Sequence, residues 1–376
     1  MTAADELERD YTLSRQAGWL ARVQSPSRSA PARYTREQLD ALDAVERRRY
    51  DEQRAVWHAN LGPIVTPQMQ TLFCELDEIV GSNRQDGDRV RGAAVLSALP
   101  GLGKTTAAVC YGVRYHREQL ELYGDRTLQG DLRVPVVYLA LTSSTTMRSL
   151  NSALCRFFDH PGWAKGNASL LADRATDCVL SCQTRLIIID DVHFLDMGRR
   201  DGREVANHFK WLQTQFPVTF LFVGVGIAER QMGTEGLAPA DAALAQTARR
   251  WTTLSLSPFE IQTAQARRTW RRLLLAIERD LVLAHAQRGM LAERLADYLY
   301  ARSTGHFASL TTLIARGCWR AIHTGAEQLT AELLDQVRND QAAERARQEL
   351  ASAFERGLLT TRATEPGTGA TEARAA

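Results

Sequence analysis

The stretch Ala93–Ala107, AAVLSALPGLGKTTA, decides how this chain folds. It opens as an apolar run, turns through Gly101-Leu-Gly-Lys-Thr-Thr106, and continues into helix-forming residues. A buried strand that feeds a glycine-rich turn and then a helix start lets backbone N–H groups curl around phosphate. Pro100, Gly101, Leu102, Gly103, Lys104, Thr105 and Thr106 are therefore the expected phosphate-binding residues. The 376-residue chain has only three lysines, Lys104, Lys165 and Lys210, and otherwise uses arginine. A lysine here supplies a compact ammonium that fits between two phosphates where a planar guanidinium does not. Ala98 stands where the pattern GxxxxGK[ST] begins with glycine, a change compatible with a backbone at negative φ.

Working outward, Leu186-Ile-Ile-Ile-Asp190-Asp191 carries the second half of the chemistry. Four consecutive apolar residues predict a strand buried on both faces, with two carboxylates emerging at its C-terminal end. In an open parallel sheet that end is where ligands bind. Behind a phosphate loop, Asp190 is expected to anchor Mg²⁺ together with the Thr105 hydroxyl, and Asp191 to polarise an attacking water. The expected cofactors are ATP and Mg²⁺.

The remaining pattern places these motifs in an α/β domain. Apolar strands are expected at 93–99, 134–141, 186–189, 219–225 and 252–256, separated by helices at 67–80, 105–121, 147–158, 170–182 and 204–214. After Pro258 the strands stop, and 261–284, 290–302, 307–323 and 330–352 read as amphipathic helices. The expected organisation is a basic N-terminal arm and helix over 1–60, an ATPase domain over 61–256, a helical lid over 257–352 and a disordered tail over 353–376. Within the first of these, residues 11–36 hold five arginines and no acid, which reads as a mobile basic arm, and 35–58 reads as one helix.

Composition excludes several classes. A net charge of +2 gives no overall drive towards polyanions, so any nucleic-acid contact must come from local clusters. No apolar run is long enough to span a membrane, and the acidic N-terminus MTAADELERD has no signal-peptide core. The six cysteines are scattered without a zinc-site spacing and read as core thiols. A cytoplasmic protein without a membrane partner is expected.

In LPGLGKTT, in IDDVHFLD (189–196), in FPVTFLFVGVG (216–226), in LAQTARRWTTLSLSPF (244–259) and in STGHFASLTTLI (303–314), the chain resembles the AAA+ ATPases. It is most similar to the TniB/TnsC-type regulators of transposition, and more distantly to origin-recognition and initiator ATPases; the likeness covers roughly 62–341. The resemblance implies a three-layer P-loop α/β domain with a parallel sheet, followed by a small all-helical lid. It implies an arginine finger at Arg250, with Arg249 the second candidate, offered to the γ-phosphate of a neighbouring subunit. It also implies a homo-oligomer, ring or helical filament, on double-stranded DNA, with phosphate contacts from Thr145, Arg148 or Arg199 and a transposase or integrase as partner.

Three departures from the family pattern bear on rate. The usual second glutamate is Asp191, the fourth strand offers no polar sensor side chain, and the lid has Ala308 where many relatives place an arginine. These favour slow hydrolysis used as an assembly switch. Two other readings stay open: another AAA+ role, such as helicase loading, phage defence or signalling, and a nucleotide-gated clamp with little hydrolysis.

Overall fold

The computed structural model describes residues 11–86, 89, 91–142, 144–192, 208, 209, 211–226 and 251–362. They fall into two compact units, one made of residues up to Ser27 and Pro67–Ser257, the other of Arg28–Thr66 and residues from Pro258 onwards.

The first unit is built on a parallel sheet. Its described strands are β1 (Ala93–Ala98), β2 (Val136–Ala140), β3 (Leu186–Asp190), β4 (Thr219–Gly224) and β5 (Trp251–Leu256), in the order β2-β3-β4-β1-β5. Every paired neighbour is parallel. Burial follows position in this order. The central strands β3 and β4 are buried at every residue, whereas the edge strand β5 is buried only at Leu254 and Leu256. Near-continuous aliphatic runs such as LIII fit a sheet covered on both faces. Helices α4 (Pro67–Ser82), α5 (Lys104–Tyr123), α6 (Met147–Phe157) and α7 (Ala168–Ser181) supply the cover. The expected strands and these helices match to within two residues at most ends. Of the helix expected over 204–214, residues 208, 209 and 211–214 are helical, and 204–207 and 210 lie outside the described residues.

The N-terminal segment differs from the expected arm. Residues 16–24 form α1 (Gln16–Gln24), and its Trp19 is fully buried in the core of the sheet unit. Arg117 on α5 fixes the end of α1 by donating to the Val23 and Ser25 carbonyls. One tryptophan and one valine on the same helix face outweigh the polar composition around them, because burying each large apolar side chain stabilises by about 1.5–3 kcal/mol.

In the second unit the expected helix over 35–58 is two helices, α2 (Arg36–Asp40) and α3 (Ala44–Ala59). Thr35 with Gln38, and Asp43 with Glu46, each form a complete capping box, so a second N-terminus is written inside the run. A capping residue, Asp340, likewise divides the expectation over 330–352. Helix α8 (Ala264–Arg279) is followed by a π-helical turn over Met290–Arg294, α9 (Ala296–Ser303), α10 (Phe307–His323), α11 (Ala331–Asp335) and α12 (Gln341–Glu355). Asp340 caps α12, while the buried Arg302 takes the carbonyls of Leu334 and Val337 that the end of α11 leaves open. The expected tail begins later than 353: α12 runs to Glu355, and the buried Thr361 donates its N–H to Asp297 at 2.8 Å. Residues 363–376 lie outside the described residues.

A buried ion pair ties α3 to the helical unit. Arg54 and Glu327, 1% and 0% exposed at their side chains, meet in a bidentate contact at 2.6 and 3.0 Å. Arg47 adds a second cation at 3.2 Å, and the Ala284 N–H donates to the same carboxylate at 3.1 Å. Removing one partner of such a pair strands the other charge, at a typical cost of about 3–5 kcal/mol. Beside it, buried His58 accepts the Val282 N–H through Nε2 at 2.9 Å.

Burial first, and the nearby Arg54 charge second, push the His58 pKa down from 6.5 to about 3. The folded value lies below the unfolded one, so protons favour the unfolded chain. This contribution is whole above about pH 6.5 and drains away as pH falls towards 3. Urea unfolding of the helical unit at pH 7 and pH 4 should therefore show an acid loss in the wild type that exceeds the loss in His58→Gln by roughly 2–3 kcal/mol. Equal losses in the two proteins would contradict the assignment.

Candidate functional site

The C-terminal ends of β1 and β3 carry the site. Strand β4 lies between them and pairs with both, so their ends are two strand spacings, about 9–10 Å, apart. That gap is wide enough for phosphate and a metal ion, and each strand leads into one half of the chemistry.

On the β1 side the chain turns through Gly101 (φ +77°) and Gly103 (φ +83°) into α5. A Cβ at Gly103 would meet nothing within 4 Å, so it is the left-handed backbone and not crowding that calls for glycine there. No side chain caps α5, a 20-residue helix. Its first N–H groups and the positive end of its dipole are thus available to an anion. Thr105 and Thr106 are exposed in the first turn, and Leu102 is buried and pins the loop to the core. Lys104 donates to the Leu99 carbonyl at 2.9 Å. Burial lowers its pKa, while Asp190 and Asp191 act in the opposite direction. Loop and carboxylates therefore sense each other electrostatically.

On the β3 side, Asp190 is only 2% exposed, and both of its carboxylate oxygens are held. Oδ1 accepts the Asp191 N–H at 2.8 Å and Oδ2 accepts the Tyr138 hydroxyl at 2.8 Å. The β2–β3 register, with Ala140 opposite Asp190, puts Tyr138 within reach. Burial, and next the Asp190 charge, drive the Tyr138 pKa far up, so its hydroxyl stays a donor across the physiological range. Asp191 takes a left-handed backbone (φ +59°), a conformation aspartate adopts more readily than most residues, and this turns the chain out of the strand.

Tyr138 is itself backed by the N-terminal helix. Trp19 lies parallel to its ring, with centroids 6.3 Å apart and planes 3° from parallel. The indole N–H donates to His116 Nδ1 at 3.0 Å, and burial holds His116 neutral by lowering its pKa to about 4. Gly112 on α5 makes room. A Cβ there would lie 2.7 Å from Ile188 Cδ1 and 3.0 Å from Trp19 Cη2. Trp19, Tyr138 and Asp190 form a continuous support that motif reading did not find. Two signals pointed to it: a tyrosine inside the aliphatic run VPVVYLAL and a glycine within a helix, each of which calls for a specific neighbour.

The donors suit Mg²⁺. One carboxylate, one exposed hydroxyl and the oxygens of a bound phosphate match an ion that keeps several waters and seldom sits in an all-protein cage. Consistent with that, no group of three or more His, Cys, Asp or Glu among the described residues could hold a metal alone. Of the other expected site residues, Arg249, Arg250 and Arg199 lie outside the described residues. Thr145 accepts the Thr142 N–H in a local turn, and Arg148 donates to the carbonyls of Gly166 and Ala164 at 3.0 and 3.1 Å. Arg148 is thus employed in bracing a loop, although it is exposed. The end of β4 and its described continuation, Val223 to Gly226, carry no polar side chain. In the helical unit, Gly305 (φ +73°) opens α10, and a Cβ there would meet the Phe259 carbonyl at 2.1 Å. Among the described residues no helix is long and apolar enough to cross a membrane. Of the cysteines, Cys155 and Cys318 are buried and Cys74 is exposed.

Residues 88–232 match the family described as AAA domain, a span that includes the phosphate loop and both carboxylates. The fold is similar to that of the Aeropyrum pernix ORC1 protein, whose structure is in complex with DNA (TM-score 0.54, 16% identity, 80% of this chain and 71% of that one). It is also similar to the Aeropyrum pernix ORC2 protein in ADPNP–ADP complexes (TM-score 0.52, 12% identity, 77% of this chain and 68% of that one). No curated protein sequence matches the chain. The sheet, its order and these likenesses show a P-loop AAA+ fold of the α/β class.

The support behind Asp190 makes a specific prediction. Tyr138→Phe keeps the ring against Trp19 and removes only the hydroxyl. The Mg²⁺ concentration needed for tight binding of a fluorescent ATP analogue should rise about tenfold, the usual scale for losing an outer partner of a metal site. Metal-free binding should change little, and loss of this donor to the buried Asp190 should lower stability by about 1–3 kcal/mol. An unaltered Mg²⁺ titration would contradict the role given to Tyr138.

Proposed function

We propose that the chain is an ATP-dependent regulator that assembles on double-stranded DNA and directs a transposase or integrase, with slow hydrolysis as its switch. The observation that carries the nucleotide part is the pairing of an uncapped α5 N-terminus and Lys104 with a buried, doubly held Asp190 across one intervening strand. Pro100 to Gly103 would wrap the phosphates, Lys104 would move from the Leu99 carbonyl to the β- and γ-phosphate oxygens, and Thr105 with Asp190 would hold Mg²⁺. The metal would supply charge neutralisation at the transferred phosphoryl group. Asp191 would orient the attacking water, and Arg250 or Arg249 would complete the site of a neighbouring copy.

The DNA and assembly part rests on similarity. The ORC1 structure named above holds DNA, and the sequence motifs resemble those of transposition regulators. Arg148, Thr145 and Arg199 are the proposed phosphate contacts, Arg148 by exchanging its carbonyl partners for the backbone of the duplex. A slow switch fits the short Asp191 side chain and the apolar end of β4. The same two features favour a second reading, a nucleotide-gated clamp that barely hydrolyses.

Steady-state ATP turnover with and without duplex DNA, combined with electron microscopy of the same mixtures, separates these readings. The regulator reading expects DNA-bound oligomers that form with a slowly hydrolysed ATP analogue, slow turnover that Asp191→Asn reduces at least tenfold, and no assembly with Lys104→Ala. Assembly with turnover insensitive to Asp191→Asn would replace it with the clamp. Wild-type behaviour of Lys104→Ala would overturn both.

A further inference from the structure

At the opposite end of the strands from the phosphate loop, the first unit carries a partly open cavity of about 580 Å³. It lies beneath the N-terminal ends of the strands, between the end of α4 and the second half of α5, and motif reading assigned it nothing. Its size is within the range of small-molecule sites.

The charge in this cavity is one-sided. Arg84, Arg91, Arg133 and Arg185 all line it, and among the described residues no carboxylate does. None of the four forms an ion pair among the described residues. Arg91 is 8% exposed and spends Nε and Nη2 on the Asn83 and Gln85 carbonyls, at 3.0 and 2.9 Å. Those acceptors are neutral, so its charge is left without a counter-charge. Arg185 faces it closely enough to make its protonation harder, and burial acts in the same sense. Arg133 likewise bonds only to neutral acceptors, the Gly124 and Arg126 carbonyls and the Gln183 side chain, while lying over the Tyr123 ring. The exposed Arg185 side chain makes no hydrogen bond or ion pair among the described residues and stands within electrostatic reach of the Tyr115 hydroxyl. Arg84 stands within electrostatic reach of the hydroxyls of Tyr115 and Tyr123.

Four guanidinium groups held around one concavity repel one another unless an anion joins them. Keeping Arg91 buried in that company costs stability, and structure alone does not explain it, since an uncharged side chain could cap two carbonyls. Guanidinium forks match phosphate oxygens two at a time, and the tyrosine rings add a flat surface with hydroxyl donors. A duplex is a convex rod, whereas this is a partly open concavity on the scale of one small ligand. We infer that the cavity is a second anion site, distinct from the phosphate loop, which takes a small phosphorylated molecule of nucleotide size. Arg91 and Arg133 form its preset floor, and Arg185 closes on the ligand.

The test uses the full chain with Lys104→Ala, which silences the phosphate loop, so its outcome is independent of the function proposed above. Calorimetric titration with pyrophosphate, and separately with ADP, should show saturable binding. Arg185→Glu should weaken that binding at least tenfold, and Arg185→Lys should restore part of it. Because the Arg185 side chain supports no other group and its charge opposes that of Arg91, this variant should unfold thermally no lower than wild type without ligand. Competition with a short DNA duplex identifies the source of the phosphate. Binding of the small phosphates that the duplex does not displace supports the proposal. Binding of the duplex alone, lost in Arg185→Glu, would assign the arginines to nucleic acid and overturn it. Absence of small-phosphate binding, or binding indifferent to Arg185→Glu, would overturn it as well.

Discussion

The site depends on one buried carboxylate. Asp190 ends a strand that is buried at every residue, and it sits there ionisable at 2% exposure. An isolated charge in such a place is unaffordable, so the fold must surround it with donors. It does so with the Asp191 N–H, the Tyr138 hydroxyl and the nearby Lys104 charge. Each of these constrains something else. The Asp191 N–H is aimed by a left-handed turn, which sets where the second carboxylate leaves the sheet. Tyr138 requires the observed β2–β3 register, and its ring requires Trp19 behind it. Trp19 in turn requires a glycine on α5, the helix whose N-terminus no side chain caps.

The described N-terminal segment is accordingly part of the AAA+ fold and not an appendage to it. Its first helix completes the core of the sheet unit, while the next two belong to the helical unit through Arg54, His58 and Glu327. Each unit is therefore discontinuous in sequence, and each is closed by residues from before the first strand. A chain shortened at the phosphate-loop domain boundary would lose core from both.

How much of this was legible depended on whether the determining partners were near in sequence. The phosphate loop was readable because its chemistry is local: strand, glycines, lysine and threonine follow one another within fifteen residues. The β3 carboxylates were readable because four aliphatic residues and two acids form one local pattern. Capping boxes at Thr35 and Asp43 were equally local, yet a continuous helical composition hid the break between them. Trp19 was missed because arginine, serine and proline dominate its surroundings, and a single anchoring side chain does not shift a compositional average. Tyr138 and Asp190 are 52 positions apart and meet only through strand register. Arg54 and Glu327, 273 positions apart, meet only through helix packing. The arginine cavity gathers residues from five separate segments and has no linear signature at all.

The central claim is that Asp190 and Thr105 share a divalent ion with the phosphates of bound ATP. Electron paramagnetic resonance of Mn²⁺, added in place of Mg²⁺ to the full chain with ATP, reads this directly. The account predicts an immobilised Mn²⁺ signal that needs ATP and is lost in both Asp190→Asn and Thr105→Ala. An immobilised signal that persists in Asp190→Asn, or one that forms equally without nucleotide, would contradict it.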